Sequence, residues 1–423
     1  MKDTFKRLIV DFHEREIPVL TPRDIDYPFD SNKIISFIGV RRSGKTSILL
    51  HGISALRKNI DTTHIVYLNF EDDRLGTATL ADLDQILEAY YELYPARRNQ
   101  KTYWFIDEIQ AISGWEKFIR RLHDTEKSQI FISGSSAKLL SSELATSLRG
   151  RTISYEVFPF SFTEYLRYQQ VSINLDSSAS RSWIKHHFNH YLGHGGFAEC
   201  FNQNDDIERR ILRDYLDLII YRDIIERFGV TNRALLKHLI RYLFANPATL
   251  VSYNKLYNDF RSQGFKLSKD TLIDYFSYLN DAYAAFNIPV FRPSIKEEQR
   301  NPRKFYIIDN NFKRLYDAFA RDDIGKLYEN LVFLHLRRQT AEIYYLKGEF
   351  EVDFYAMGHL INVCAHVNQN STRQREIRAL EEGMISLNIK QSYLLTADQE
   401  EQIQTPTGII HVIPVWKWLC LYR

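Results

Sequence analysis

The sequence predicts an α/β protein with a parallel sheet in its N-terminal third, a helical middle and a second, smaller α/β domain at the C-terminal end. Three observations lead there. Between Lys33 and Pro159 short apolar runs alternate with amphipathic segments, the pattern of strands joined by crossover helices. Past Phe162 the apolar residues fall at helical spacing. From Gly325 onward short apolar runs return around two helical stretches. A chain of 423 residues has room for roughly three domains. Its 44% hydrophobic and 14% aromatic content is enough to build their cores.

Taken in order, the first strands fall at 34–38, 65–70, 103–106, 130–132 and 153–158, with helices at 46–57, 80–91 and 115–123. In the last of these helices Trp115, Phe118, Ile119 and Leu122 share one face, which packs it on the sheet. Helices follow at 162–168, 181–192 and 207–227, and Gly193, Gly195 and Gly196 stop the second. Within 232–290 a helix at 253–261, a turn and a helix at 271–280 capped by Ser268 precede a wing strand at 283–291. Leu272, Tyr275, Phe276 and Leu279 form the buried stripe of that last helix, and the whole has a winged-helix outline. The C-terminal pattern is a helix at 326–339, strands at 343–346, 350–356 and 360–365, a helix near 373–387, and strands at 391–395 and 409–414. The expected domains are 1–165, 166–231, 232–300 and 301–423.

Charge and cysteine content narrow the function. A net charge of +2 is too small for a strongly basic nucleic-acid protein, although one basic face can hide in a balanced total. Cys200, Cys364 and Cys420 are too scattered for a disulfide framework or a zinc site. Asp11 interrupts the N-terminal segment before a secretory apolar core develops. No stretch approaches the roughly eighteen uncharged apolar residues of a membrane span. The expectation is a cytoplasmic, soluble protein without membrane contact.

The chemistry begins at Gly39-Val40-Arg41-Arg42-Ser43-Gly44-Lys45-Thr46, set between a strand and a helix and followed by Ser47. This is the P-loop pattern. Its glycines let backbone N–H groups close around phosphate oxygens, and the helix N-terminus adds a positive dipole end. Lys45 should reach the β- and γ-phosphates of ATP, and Thr46 should offer its hydroxyl to Mg²⁺. The run Tyr103-Trp-Phe-Ile-Asp107-Glu108 is an apolar strand ending in two acids. Asp107 would join Thr46 in holding Mg²⁺, and Glu108 would polarise the attacking water. Ser133 and Ser135 end the neighbouring strand, where a hydroxyl touches the water or γ-phosphate, or simply makes a turn. Arg149 and Arg151 precede the fifth strand. They read either as a finger reaching a neighbouring subunit's ATP or as surface salt-bridge partners.

At these residues the chain resembles the prokaryotic AAA+-like P-loop ATPases, of the additional-strand type, that carry a C-terminal domain of unknown function. The resemblance extends over nearly the whole chain. Beyond the ATPase motifs it rests on Asn69-Phe-Glu-Asp72, Leu148-Arg-Gly-Arg151, Phe158-Pro-Phe-Ser-Phe-Thr-Glu164 and Gly195-Gly-Phe197. Further along, Tyr221-Arg-Asp-Ile224, Gly325-Lys-Leu-Tyr-Glu-Asn330 and Glu351-Val-Asp-Phe354 continue it. It implies a winged helix leading to a module with a PD-(D/E)xK nuclease-like fold. Such sites need an acid, then an acid-x-Lys on the next strand, to bind Mg²⁺ and orient water. Glu329 and Asp353 fit the first part, but Asn362-Val-Cys364 stands where the carboxylate and lysine belong. Between Lys347 and Lys390 there is no lysine to substitute. Nuclease activity is therefore not expected.

His186, His190 and His194 could share a helix face, but no carboxylate or cysteine completes a metal set nearby in sequence. Lys255, Arg261, Lys266 and Lys269 could contact DNA phosphates, with Thr271 and Asp274 opening a recognition helix. The same helices could instead pack on the ATPase. The expected function is a Mg²⁺-dependent ATPase, a ring-forming homo-oligomer that remodels nucleic acid such as branched or duplex DNA. The other reading is a nucleotide-gated switch that docks a partner protein.

Overall fold

The computed structural model describes residues 1–135, 148–292, 294, 297, 301–316, 324–365 and 370–422, with the backbone alone at 135 and 370. It divides into two compact units, Met1–Phe158 and Pro159–Arg423.

The first unit is built on a five-stranded sheet. Its strands are β1 (Ile34–Gly39), β2 (Ile65–Asn69), β3 (Thr102–Asp107), β4 (Ser128–Ser135) and β5 (Thr152–Glu156), in the order β2-β3-β4-β1-β5. Every pairing is parallel. The helices are α1 (Lys2–Glu14), α2 (Lys45–Leu56), α3 (Asp84–Leu93) and α4 (Trp115–Thr125). Strand β4 lies between β1 and β3, so the strands that carry the P-loop and the paired acids are separated by the strand that ends in the serines. Ile35, Phe37, Phe105 and Phe131 from three of these strands bury against Ile48, Leu49 and Ile53 of α2. The Phe105 and Phe131 rings stack with centroids 4.5 Å apart. On α4 the buried residues are Trp115, Phe118, Ile119 and Leu122, the stripe that the spacing predicts.

Two local departures have physical causes. The helix expected at 80–91 starts as a 3-10 turn, Leu80–Leu83, because Asp82 accepts from both the backbone N–H and the hydroxyl of Thr79 and tightens the first turn. The N-terminal helix α1 buries Phe5, Leu8, Ile9 and Phe12 at helical spacing, a pattern that reading the segment only for a leader passes over.

Gly39 cannot be anything larger. A Cβ there would sit 2.1 Å from the Val157 carbonyl oxygen, which faces the end of β1. Gly39→Ala should lower the stability of this unit by about 1–3 kcal/mol, read as a lower thermal midpoint. An unchanged midpoint would show that β1 and the Val157 segment can separate freely.

The second unit begins with α5 (Phe162–Tyr168), α6 (Ser178–His194) and α7 (Asp205–Leu218), the last continuing as a π-helical stretch, Ile219–Glu226. Ser161 and Glu164 cap α5 reciprocally, at 3.2 and 2.7 Å. Next come α8 (Arg233–Ala245), β6 (Thr249–Val251), α9 (Tyr253–Ser262), α10 (Lys269–Asp281), β7 (Ala285–Ile288) and β8 (Arg303–Ile307). Ser268 caps α10 by accepting from Thr271 N–H at 3.0 Å. The three strands form an antiparallel sheet in the order β6-β8-β7.

The unit closes with α11 (Ile324–Arg337), β9 (Ile343–Lys347), β10 (Glu351–Ala356), β11 (His359–Val363) and α12 (Asn370–Leu387). β12 (Gln391–Thr396), β13 (Glu401–Gln404), β14 (Ile409–Pro414) and α13 (Val415–Leu421) follow. Their sheet runs β13-β14-β12-β11-β10-β9, parallel at β11/β12 and β12/β14 and antiparallel elsewhere.

Two motifs prove to be buried polar joints within this unit. Asn330 on α11 accepts from Ile307 N–H at 2.9 Å and donates to the Ile307 and Asn310 oxygens at 3.0 and 2.9 Å. Asp309 accepts from Gly196 N–H at 2.7 Å and Asn311 N–H at 2.9 Å. A Cβ on Gly195 would lie 1.6 Å from an Asp309 oxygen and one on Gly196 2.2 Å from the Phe160 carbonyl oxygen, which accounts for the glycine pair. Burial pushes the Asp309 carboxyl up to about 7, against the two N–H groups that favour its charge. A folded-state value above the unfolded one contributes stability that is complete below about pH 4 and is lost as pH rises toward 7. Unfolding midpoints should therefore fall across that window, with a flatter profile in Asp309→Asn. Parallel profiles would remove this group as the cause.

Candidate nucleotide site

Strand β1 delivers the chain at Gly39 into a loop that closes with Gly44 at φ 97° and enters α2 at Lys45. Arg42 also takes a positive φ of 64°. Such a loop followed by a helix N-terminus presents N–H groups and positive dipole to an anion. The buried Lys45 ammonium donates to the Val40 and Gly39 carbonyls at 3.0 and 3.2 Å. Ser43 is 2% exposed, and its hydroxyl has no hydrogen-bond partner among the described residues. An unsatisfied buried hydroxyl beside a loop of this shape is what a phosphate oxygen would satisfy.

The acids meet this loop from β3. Asp107 is fully buried and accepts from Thr46 Oγ1 at 2.7 Å, from the Tyr67 hydroxyl at 3.2 Å and from the Ser133 hydroxyl. Burial pushes its carboxyl above the usual range, partly countered by the Ser133 and Thr46 hydroxyls. The Tyr67 phenol is pushed up by burial and by the Asp107 charge. The oxygens of Thr46 and Asp107 form the hard donor pair that Mg²⁺ prefers. Glu108 follows at φ 51°, a left-handed conformation uncommon for a residue with a Cβ. Its carboxylate accepts from the Gln110 side chain.

Sequence reasoning missed two of the surrounding residues, Arg23 and Tyr67. Arg23, in the segment before β1, donates to the Ser43 carbonyl at 2.7 Å and the Phe158 carbonyl at 2.6 Å, tying the loop to the chain beyond β5. Arg41 pairs with Glu71 at 3.6 Å. Asp72 instead turns to Arg74 at 2.9 Å, so the acidic loop after β2 divides between the P-loop and itself. Tyr67 had one available signal, its place two residues before Asn69 on a strand beside β3.

Ser133 reaches the acids, at a position paired with Phe37 of β1. Ser135 pairs with Gly39 in the backbone, and its side chain lies outside the described residues. Arg149 and Arg151 are at the opposite end of the sheet: Ile34, at the start of β1, pairs with Thr152. Five residues of strand separate that end from Gly39, about 17 Å. Arg149 is exposed at φ 51°. Arg151 holds Asp124 through two hydrogen bonds, at 2.9 and 3.1 Å.

In the second unit His186, His190 and His194 do not gather around one point. The His190 and His194 rings stack at 4.0 Å, while His186 meets the edge of Trp183. His194, Asp205 and Glu208 come together instead. The Arg314 guanidinium already spans the two acids, at 3.1 and 2.8 Å.

Lys45→Ala should weaken ATP binding by at least about tenfold, because a hydrogen-bonding cation buried beside the loop is lost. A fluorescent nucleotide titration reads it. Unchanged affinity would mean that the phosphates bind elsewhere.

An uncharacterized protein of Methanocaldococcus jannaschii is 34% identical over 444 residues, covering 100% of this chain and 96% of its own. Residues 31–166 match the family model described as an AAA domain. The chain belongs to the family of this relative and carries an AAA domain. An uncharacterized protein of Haemophilus influenzae is a second relative of this AAA-domain chain, 30% identical over 401 residues and covering 92% of this chain and 94% of its own. Residues 185–314 match a domain of unknown function, DUF8612. Among solved structures the Aeropyrum pernix ORC1 protein in complex with DNA aligns at TM-score 0.30 and 13% identity, over 78% of this chain and 91% of that one. AMPPCP-bound DnaA from Aquifex aeolicus aligns at 0.26 and 18%, over 51% and 64%. Likeness at those scores carries no functional weight. The parallel sheet, the P-loop and the acids beside it make the first unit an AAA+-like P-loop ATPase fold. No described helix is long and apolar enough to cross a membrane.

Proposed function

We propose that this AAA-domain protein hydrolyses ATP with Mg²⁺, acts as a homo-oligomeric ring and couples turnover to remodelling nucleic acid, branched or duplex DNA. The observation that carries the ATPase part is the convergence of Thr46, Asp107, Ser133 and Glu108 beside the P-loop. The P-loop amides and Lys45 bind and orient the phosphates, and Thr46 with Asp107 would hold Mg²⁺. When bound, the ion neutralises charge on the β- and γ-phosphate oxygens. Glu108 orients a water and takes its proton at a carboxylate oxygen, with the Gln110 side chain holding the carboxylate in place. Arg149 or Arg151 supplies positive charge to a neighbouring subunit. The distance of both from their own P-loop supports a role in trans.

In the second unit we read α8–β6–α9–α10–β7–β8 as a winged helix that extends past 300 to Ile307. We read α11 through α13, to the end of the 301–423 region, as a PD-(D/E)xK-like module without nuclease activity, in keeping with Asn362 and Cys364 at its third motif. The stretch 166–231 is then the linking helical region. Exposed Arg261 and Lys269 flank the Tyr257 ring, each 5.6 Å from its centroid, a basic edge suited to phosphates. One observation favours the second reading, a nucleotide-gated switch that docks a partner protein. The outward face of α10 carries Asp270, Ile273 and Asp274, which suits a protein surface better than a DNA groove.

ATP hydrolysis measured with and without duplex and branched DNA separates the two. Stimulation, with DNA binding that falls steeply as salt rises, supports remodelling, since phosphate contacts release counterions. Hydrolysis with no DNA binding at low salt, in either nucleotide state, would leave the switch.

A further inference from the structure

Lys304 stands on the middle strand of the sheet β6-β8-β7, a position where a lysine side chain is rarely buried. Its side chain is nonetheless only 4% exposed. The ammonium lies 3.0 Å from Glu329 Oε1 on α11, and 2.7 and 2.8 Å from Glu351 Oε1 and Asp353 Oδ1 on β10. Two of its N–H donors are hydrogen-bonded, to Glu329 and Asp353, and Glu351 completes three carboxylates in ion-pair contact with the ammonium.

The carboxylates are fixed from behind. The Tyr306 hydroxyl donates to Glu329 Oε1 at 2.8 Å, and Val363 N–H donates to Asp353 Oδ2 at 2.8 Å. Asn362, where the motif calls for an acid, accepts from Asp353 N–H at 3.0 Å and donates to Glu376 at 2.7 Å. The result is a rigid, oxygen-only cluster around one point, the donor chemistry of a hard divalent cation. That point is taken. A divalent ion placed there would face a buried ammonium in contact, and Lys304 would have no other carboxylate to pair with in this cluster.

We propose that Lys304 is a tethered cation filling the divalent-metal position of the Glu329–Glu351–Asp353 cluster. The cluster is closed to metal in the native chain, and removing the ammonium opens a Mn²⁺ or Mg²⁺ site. The trio then serves as an ion-pair joint between β8, α11 and β10. This inference does not depend on the ATPase reading.

The test is Mn²⁺ binding to the full chain without nucleotide, followed by electron paramagnetic resonance. Asp353→Asn should bind as many ions as the native chain, because no ion uses that carboxylate while Lys304 is present. Lys304→Ala should bind one more ion per chain, at least about 10²-fold tighter at that point than the native chain. The extra ion should vanish in Lys304→Ala/Asp353→Asn. Burying carboxylates without their partner can prevent folding; Lys304→Ala/Glu351→Gln therefore serves as a second variant, with one charge fewer and the same expectation. An ion on the native chain that Asp353→Asn removes would overturn the proposal. So would a folded Lys304 variant that gains none.

Discussion

Glu108→Gln should bind ATP as tightly as the native chain and hydrolyse it at least about 10²-fold more slowly. The reason lies in what the carboxylate does and does not touch. Thr46 and Asp107, which would hold Mg²⁺, bond to each other at 2.7 Å, and Asp107 is anchored further by Tyr67 and Ser133. None of these contacts uses the Glu108 side chain, which is held instead by Gln110. Glutamine keeps the shape and removes the basic oxygen. Its left-handed backbone, at φ 51°, is imposed by the turn after β3 and is unaffected by the exchange. Nucleotide affinity and single-turnover rate, measured on the same preparation, separate binding from chemistry. Native-rate hydrolysis by Glu108→Gln would mean that another group takes the proton.

The second large effect concerns the arginines before β5. Removing a finger that acts in trans should cost turnover on the order of 10³-fold while ATP binding remains nearly intact. The geometry distinguishes the two candidates. Arg151 is held by Asp124 on its own subunit, whereas Arg149 is exposed. Arg149→Ala should therefore carry the loss, and Arg151→Ala should cost little turnover, since surface ion pairs contribute weakly. Specific activity should rise with protein concentration as subunits associate. Mixing Arg149→Ala with Lys45→Ala chains should restore some activity, because each supplies what the other lacks at a shared interface. Co-assembled mixtures without recovered activity would remove the finger and much of the case for a catalytic ring.

How much of the fold and site was legible in the sequence depends on how local each signal is. The P-loop and the strand ending in Asp107-Glu108 are each a contiguous run, so each is readable by itself, and the expectation that Thr46 meets Asp107 across 61 residues came from the chemistry the two motifs share. The buried stripe of α10 and the faces of α4 were equally readable, because helical period is a local property. What crosses the chain was not. Arg23 meets the P-loop from the segment before β1, and Tyr67 reaches Asp107 from a different strand. Lys304 shows this most clearly. No lysine stands near Asn362 in sequence, yet the fold brings one to Asp353 from 49 residues upstream. Strand β8 itself is hard to read, since Arg303 and Lys304 at its start mask its apolar run. Strand β13, mostly exposed and polar at the sheet edge, carries no hydrophobic alternation to find.

Hydrolysis that needs both the metal and the paired acid is the central claim. The decisive measurement is steady-state phosphate release from ATP by the full chain, with Mg²⁺, after chelation with EDTA, and for Asp107→Asn with Mg²⁺. Turnover that stops on chelation, and is nearly abolished in Asp107→Asn while the variant stays folded, is the predicted result. Phosphate release at an equal rate with and without Mg²⁺, or undiminished in Asp107→Asn, would contradict it.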